Sequence, residues 1–386
     1  MSEPIIQGWC PGARQPMMSG DGLVVRVRPH LGRLSADQLA GIAALSREHG
    51  NGLIDLSNRA NLQLRGVREA RFDVVLAELD TLGLLDADVE TERRRNIITS
   101  PLWRPQDATL RVAEQLEALL AAADDLQLPS KFGFAVDLAG APVLHGSAAD
   151  IRIERHGEMA LIRPDGSNSA MVVPLVKASE TALRLAYWFV MTGGVVDGRG
   201  RMAAHLKRRD IGLPAAFDHM IAPWDRQPPP NPGPHELGYF AGFAFGQMTA
   251  DIVSHIAKSC DFIRLTPWQL ILMEGLADAP AIDGLVTNPA DPIRRVRACT
   301  GAPGCPQALQ ATRDLARALA PSVPEGKLLH VSGCAKGCAY PASTQRVLIG
   351  RENGFDLVKN GRASDTPEEH SLSVPALMAG KDIWGA

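Results

Sequence analysis

Apolar positions along this chain switch between helical spacing and the alternation of strands, and the switch occurs twice in the same order. After Ser35, the residues Leu39, Ile42 and Ala43 fall on one helical face; after Thr249, Val253, Ile256 and Ala257 do the same. Ser35 and Thr249 are natural helix N-caps, and Ser35 with Gln38 predicts a capping box. Each helix then runs into a β-prone stretch, Leu53-Ile54-Asp55-Leu56-Ser57 in the first case and Phe262-Ile263-Arg264-Leu265-Thr266 in the second. A further strand-like segment follows each, Asn61-Leu62-Gln63-Leu64 and Gln269-Leu270-Ile271-Leu272. The hexapeptides Gly32-Arg33-Leu34-Ser35-Ala36-Asp37 and Gly246-Gln247-Met248-Thr249-Ala250-Asp251 open the two units.

A second correspondence follows each unit. Arg95-Asn96-Ile97-Ile98-Thr99-Ser100-Pro101 is echoed by Arg297-Ala298-Cys299-Thr300-Gly301-Ala302-Pro303. Two matches in one order, about 200 residues apart, argue for a duplicated chain. The pattern predicts a small α+β unit over residues 1–88 and an α/β unit over 89–226. A second α+β unit covers 235–290, and a second α/β unit, the cysteine-bearing one, covers 291–386. Between the halves, Arg226-Gln227-Pro228-Pro229-Pro230-Asn231-Pro232-Gly233-Pro234 excludes helix and central strand and reads as a semi-rigid connector.

Composition narrows the class. A chain of 386 residues with 45% hydrophobic and 22% charged content is ordinary for a globular protein. No apolar run has the length of a membrane span, and Met1–Gly8 lacks the basic flank and apolar core of a signal peptide. These features predict a cytoplasmic protein without a membrane partner. A formal charge of −3 implies no nucleic-acid surface, but leaves room for a local basic pocket.

Six cysteines are too few for a disulfide scaffold in a chain this long, and four of them cluster. The spacing is Cys299-x5-Cys305-x28-Cys334-x3-Cys338. Four thiolates in two pairs can hold zinc or an iron–sulfur cluster. Structural zinc favours tight C-x2-C knuckles, and these wider pairs suit a larger inorganic core, a [4Fe–4S] cluster. Gly301, Pro303 and Gly304 make a loop able to wrap closely. Pro306 predicts the first turn of a helix through Leu309, Leu315 and Leu319, its N-terminus aimed at the cluster. Cys10 and Cys260 stand alone and read as idle thiols.

C-x5-C followed by S-G-C-x3-C, within a duplicated chain, resembles the sulfite and nitrite reductase family. The resemblance spans nearly the whole chain. It implies an α+β, pseudo-twofold fold in which ferredoxin-like half-domains alternate with α/β units and the cluster lies in the C-terminal unit. It also implies that Cys338 would be the cysteine that bridges to a sirohaem iron. The family binds its anionic substrate and the macrocycle carboxylates with cations and amides, and the matching positions are Arg59, Asn61, Gln63, Arg95 and Lys131. Arg pairs bidentately with carboxylate and Lys acts as a point charge. Asn61, Gln63 and Arg65 alternate with Leu62 and Leu64 and so share one strand face.

One departure matters. The reductases carry K-x-K where this chain has Lys131-Phe132-Gly133, and the missing cation weakens the case for reducing sulfite or nitrite. Cys10-Pro11-Gly12, then Pro16-Met17-Met18-Ser19-Gly20-Asp21-Gly22-Leu23 and Arg26, together with Lys131–Asp137, are similar to a branch of the family in aerobic cobalamin biosynthesis. That similarity implies an O₂-dependent monooxygenase that hydroxylates precorrin-3A at C20, with a ring-A acetate closing a γ-lactone. The alternative is a sirohaem-dependent sulfite or nitrite reductase. The oxygenase branch implies an additional mononuclear non-haem iron, whose ligands are not legible. His156-Gly157-Glu158 imitates a ligand fragment but reads as a hairpin turn between Ile151–Arg155 and Met159–Arg163, and His30 and His330 are lone histidines. Gly198-Arg199-Gly200 lacks the pattern of a dinucleotide site, so electrons are expected from an external reductase or ferredoxin.

Overall fold

The computed structural model describes residues 10–208, 210–217, 219, 220 and 227–385. Met1–Gly8 and Arg226, named above, lie outside the described residues. The described residues form four sheets, related in pairs. The first sheet orders Met17–Ser19, Gly22–Val27, Leu62–Val67 and Leu53–Leu56, and is completed by Gln247–Thr249 from the second half. The third sheet orders Gly233–His235, Gly238–Gly242, Leu270–Glu274 and Phe262–Leu265, and is completed by Arg33–Ser35 from the first half. The two hexapeptides that open the repeated units are therefore exchanged strands. Leu34 pairs with Ile263, and Met248 pairs with Ile54.

The exchange makes one core of both units. Val25, Leu64 and Ile42 pack in the same buried cluster as Ile263, Ile271 and Val253. Ser35 caps helix Ala36–His49 with the full capping box, and Thr249 caps helix Ala250–Ser259 by accepting from the Ile252 amide. The duplication extends to backbone conformation. Leu31 and Phe245 take φ of 56° and 61° at matching turns, and Ala60 and Gln269 take 54° and 62°. Non-glycine residues rarely hold the left-handed region, so its recurrence at equivalent turns marks a shared design.

The second sheet runs His219–Met220, Ser169–Pro174, Met159–Pro164, Ile151–His156, Phe134–Asp137 and Ile97–Thr99, with helices Ala108–Ala121 and Ala178–Met191 in its core. The fourth runs Val296–Ala298, Leu329–Ser332, Thr344–Arg351, Gly354–Gly361 and Glu369–Leu372. In both, the edge strand nearest the repeated Arg-x2 or Arg-Ala-Cys segment pairs parallel with its neighbour, the next pair is also parallel, and the rest are antiparallel. His156-Gly157-Glu158 does form a hairpin turn, with His156 paired to Met159. Gly233–His235 is an edge strand, where the connector's prolines are tolerated.

Candidate functional site

The four clustered cysteines come from two loops of the fourth sheet. Cys299 and Cys305 follow strand Val296–Ala298; Cys334 and Cys338 follow the adjacent strand Leu329–Ser332. The first loop closes through a Cys305 N–H bond to the Gly301 carbonyl at 2.8 Å. Gly301 has φ of 69°, and a Cβ there would lie 2.6 Å from Thr312 Oγ1, so the turn requires glycine. The Gly333 amide donates to Cys299 Sγ at 3.2 Å, which joins the two loops at the sulfur itself. Burial pushes the Cys334 and Cys338 thiols up, and Cys299 and Cys305 push both further. A cationic core between the two loops would relieve the cost of ionising Cys334 and Cys338 there. Among the described residues, no group of three or more His, Cys, Asp or Glu is arranged to hold a single metal ion.

The expected helix at Pro306 is shorter than the sequence suggests and starts later, covering Arg313–Leu319. Residues 306–312 use their hydrogen bonds elsewhere. The Leu309 amide donates to the Gly333 carbonyl at 2.8 Å, and the Gln310 carbonyl accepts from the Ala302 amide at 3.0 Å. These bonds tie the second cysteine loop to the first, and a helix from Pro306 would have broken them.

Beside the cysteines lies a cleft of about 1070 Å³. Ala339–Ala342, directly after Cys338, form one border. Arg294, Arg295 and Arg297 line it with cations, Phe243 and Trp268 with aromatic rings, and the connector contributes Pro228–Pro230. Arg297 donates to the carbonyls of Arg294 and Val296 at 2.8 and 3.1 Å, and burial lowers its pKa. Arg295 Nε is buried without a partner. An orphaned guanidinium nitrogen in a roomy cleft suits an anionic ligand, because burying an unmet donor is costly. The three arginines of Arg294-Arg295-Val296-Arg297, just before Cys299, are a signal legible in the sequence as a dense cationic run. Behind Tyr340 stands His330, fully buried, with neither ring nitrogen partnered and its pKa pushed down to about 4 by burial, Arg297 adding to the effect.

The five residues matched to the family's anion site do not line this cleft, although Asn58, next to Arg59, does. Arg59 and Lys131 do come together. Arg59 Nη2 donates to the Lys131 carbonyl at 2.8 Å, while Nη1 is buried without a partner. Burial lowers the Arg59 pKa to about 10; Cys10 opposes this, and Arg201 and Arg26 reinforce it. The result is a cationic group around the exposed Lys131. Gln63, with its amide oxygen toward Arg26, accepts from Arg26 Nη2 at 2.8 Å and Nε at 3.2 Å. Asn61 is buried in the same strand region. Arg95 is held elsewhere, in a buried pair with Asp86 at 2.6 and 2.9 Å and a bond to the Arg28 carbonyl.

The missing second lysine has a steric explanation. A Cβ on Gly133 would lie 2.8 Å from Asn96 Nδ2, 2.9 Å from the Asn96 carbonyl and 3.2 Å from Arg59 Nη1. Asn96 and Arg59 occupy the space that a side chain at 133 would need.

Residues 15–82 match the nitrite/sulfite reductase ferredoxin-like half domain. A Sinorhizobium precorrin-3B synthase is 27% identical over 95% of this chain and 85% of that protein. The ferredoxin–nitrite reductase of Synechococcus elongatus is 24% identical over 88% of this chain and 80% of its own length. Over most of its length this chain is similar to a precorrin-3B synthase and to nitrite and sulfite reductases. The solved structure of the Mycobacterium tuberculosis NirA protein shares the fold, with a TM-score of 0.63 at 20% identity, covering 92% of this chain and 79% of that one. The ferredoxin-like half-domains expected from the sequence are thus present, and the duplicated α+β architecture is that of the nitrite and sulfite reductases. No helix among the described residues is long and apolar enough to cross a membrane.

Proposed function

We propose that this oxidoreductase is a precorrin-3B synthase. It hydroxylates precorrin-3A at C20 in an O₂-dependent reaction, and a ring-A acetate closes the γ-lactone. Gly133 is the observation that carries this reading over sulfite or nitrite reduction. The second cation of the reductase pattern is absent, and Asn96 and Arg59 fill its place. The precorrin-3B synthase that spans nearly the whole chain supports the same choice.

Cys299, Cys305, Cys334 and Cys338 would hold a [4Fe–4S] cluster. Four thiols on two adjoining loops, joined where the Gly333 amide reaches Cys299 Sγ, suit a core of several irons. Bound there, the cluster would supply single electrons from an external reductase or ferredoxin. The remaining work falls to the chain's own groups. Arg294, Arg295 and Arg297 would bind substrate carboxylates in the cleft, and Phe243 and Trp268 would pack against the macrocycle. Asn58 links the cleft to the neighbouring group of Arg59, Asn61, Gln63 and Lys131, which would engage further carboxylates, the orphaned Arg59 Nη1 giving one donor that awaits an acceptor. Arg95, locked to Asp86, would act by fixing the strand beside them. A mononuclear non-haem iron, if the chemistry requires one, needs ligands beyond those gathered among the described residues; His30, one candidate, is paired with Glu117 at 3.0 Å.

The test is direct. The purified protein is mixed anaerobically with precorrin-3A, then given O₂ and a reductant. A product heavier by one oxygen atom is expected. Long-wavelength sirohaem bands in the purified protein, with turnover of sulfite or nitrite and no oxygenated product, would establish the reductase reading instead.

A further inference from the structure

The Cys299–Cys305 loop is gripped by residues from the far end of the chain. The carbonyl of Gly304, immediately before Cys305, accepts from Ser19 Oγ at 2.6 Å, from the Gly20 amide at 3.2 Å and from Arg65 Nη2 at 3.0 Å. A carbonyl oxygen offers two lone pairs, so three donors saturate it. Ser19 lies 285 positions earlier in sequence, and Arg65 239. Gly20 approaches so closely that a Cβ on it would lie 2.1 Å from the Pro303 carbonyl oxygen.

Arg65 is itself fixed. It is buried, and it pairs with Asp21 at 2.7 and 3.1 Å and with Asp55 at 3.9 Å. Asp55 also takes Arg313 at 3.0 Å, from the helix that follows the cysteine loop, and Gln247 at 3.3 Å, from the exchanged strand. The hairpin of residues 17–22 and the strand bearing Arg65 therefore reach the cysteine loop through a closed set of partners, and nothing in this set faces the cleft.

We propose that Ser19, Gly20 and Arg65 are positioning residues that clamp the Gly304 carbonyl, fix Cys305 and set the charge around the cysteine centre. The inference rests on reading the four cysteines as a cluster site. Asp21, Asp55, Arg65 and Arg313 sum to zero. Removing Arg65 leaves one net negative charge in a buried setting, where salt screens weakly. A negative charge beside an anionic core disfavours the arrival of an electron, so the reduction potential falls.

The full-length, cluster-loaded chain tests this by potentiometric titration and by iron release to a chelator. Arg65→Met should lower the potential and speed iron loss several-fold. Adding Asp21→Asn should return the potential toward wild type while iron loss stays fast, because the charge is balanced but the clamp is still missing. Arg47→Met, which breaks an exposed pair with Asp251, should change neither quantity. Wild-type potential and iron loss in Arg65→Met would overturn the proposal. A second measurement needs no iron. In the iron-free chain, Ser19→Ala and Arg65→Met should raise the rate of Cys305 alkylation relative to Cys334, followed peptide by peptide by mass spectrometry. An unchanged ratio refutes the clamp. A changed ratio in a protein that never takes up iron refutes the cluster reading and keeps the clamp.

Discussion

Gly133 is where the chain departs from the reductase pattern, and its replacement tests the steric account. The backbone there needs no unusual torsion, so the contacts of an added Cβ decide the outcome. Two of them, at 2.8 and 2.9 Å, fall on Asn96, which is buried and donates to the Phe132 carbonyl at 2.7 Å. The Asn96 carbonyl also accepts from the Phe134 amide at 2.9 Å, at the start of strand Phe134–Asp137. Its backbone cannot retreat without disturbing that strand. Overpacking of this kind costs about 1–3 kcal/mol, and losing the Asn96 side-chain bond adds about 1 kcal/mol, for a sum of about 2–4 kcal/mol. In a unit of this size that corresponds to a fall of roughly 5–15 °C in its unfolding midpoint. Gly133→Ala should show most of the loss, because the clash begins at Cβ. Gly133→Lys should add the repulsion of Arg59. Calorimetry of the full chain, following the first transition, measures both. A Gly133→Ala protein within about 0.5 kcal/mol of wild type would refute the steric argument. So would a Gly133→Lys protein that keeps wild-type stability and gains sulfite reduction.

Three further outcomes follow from the site. Cys334→Ser should lose the cluster and most activity, and stoichiometric iron and sulfide retained in the purified variant would contradict the ligand assignment. Lys131→Ala should raise the KM for the carboxylate-rich substrate by about 3–10-fold, the worth of one exposed charge-assisted bond, in steady-state assays; an unchanged KM would remove Lys131 from the pocket. His330 gives a pH dependence in the iron-free chain: its folded pKa of about 4 lies below the unfolded value of 6.5, so the unfolded chain takes up a proton first as pH falls. The His330 contribution is therefore full above pH 6.5 and declines between 6.5 and 4, by about 2 kcal/mol at pH 5, and His330→Leu should remove about that much of the difference between urea titrations at about pH 7 and pH 5, leaving the smaller share of His205 and His235.

The repeat was legible because it is carried by local signals. Ser35 with Gln38 and Thr249 announce helix starts, and the apolar faces after them repeat. The exchange of strands was not legible. Arg33–Ser35 and Gln247–Thr249 are three residues long, and a strand that short is placed by its partner rather than by its own alternation. The same limit explains the helix after Cys305. Proline and spaced leucines suggest helix, but the Leu309 and Ala302 bonds that prevent it join residues in separate loops. Arg65 was placed on a strand face with Asn61 and Gln63, and it does lie in that strand; its partner at Gly304 could not be inferred from spacing. Arg294, Arg295 and Arg297 are the opposite case, a dense cationic run beside a cysteine whose meaning needed no structure to suspect.

Duplication and strand exchange together explain why the site needs the whole chain. Each ferredoxin-like sheet is finished by a strand from the other half, so neither half can close its core alone. The cleft draws Asn58 and Ser147 from the first half, Phe243 and Arg297 from the second, and the connector's prolines from between them. The cysteine loop is likewise anchored by Ser19 and Arg65 across the same junction. The two copies have diverged in chemistry while keeping one backbone. At the turn where Ala60 has positive φ the first half presents Arg59; at the matching turn with Gln269 the second presents Trp268. The second copy thus places an aromatic residue in the cleft lining, the first holds a buried cation with an unmet donor beside it, and under the proposed function a macrocycle with a charged rim and an apolar face would use both.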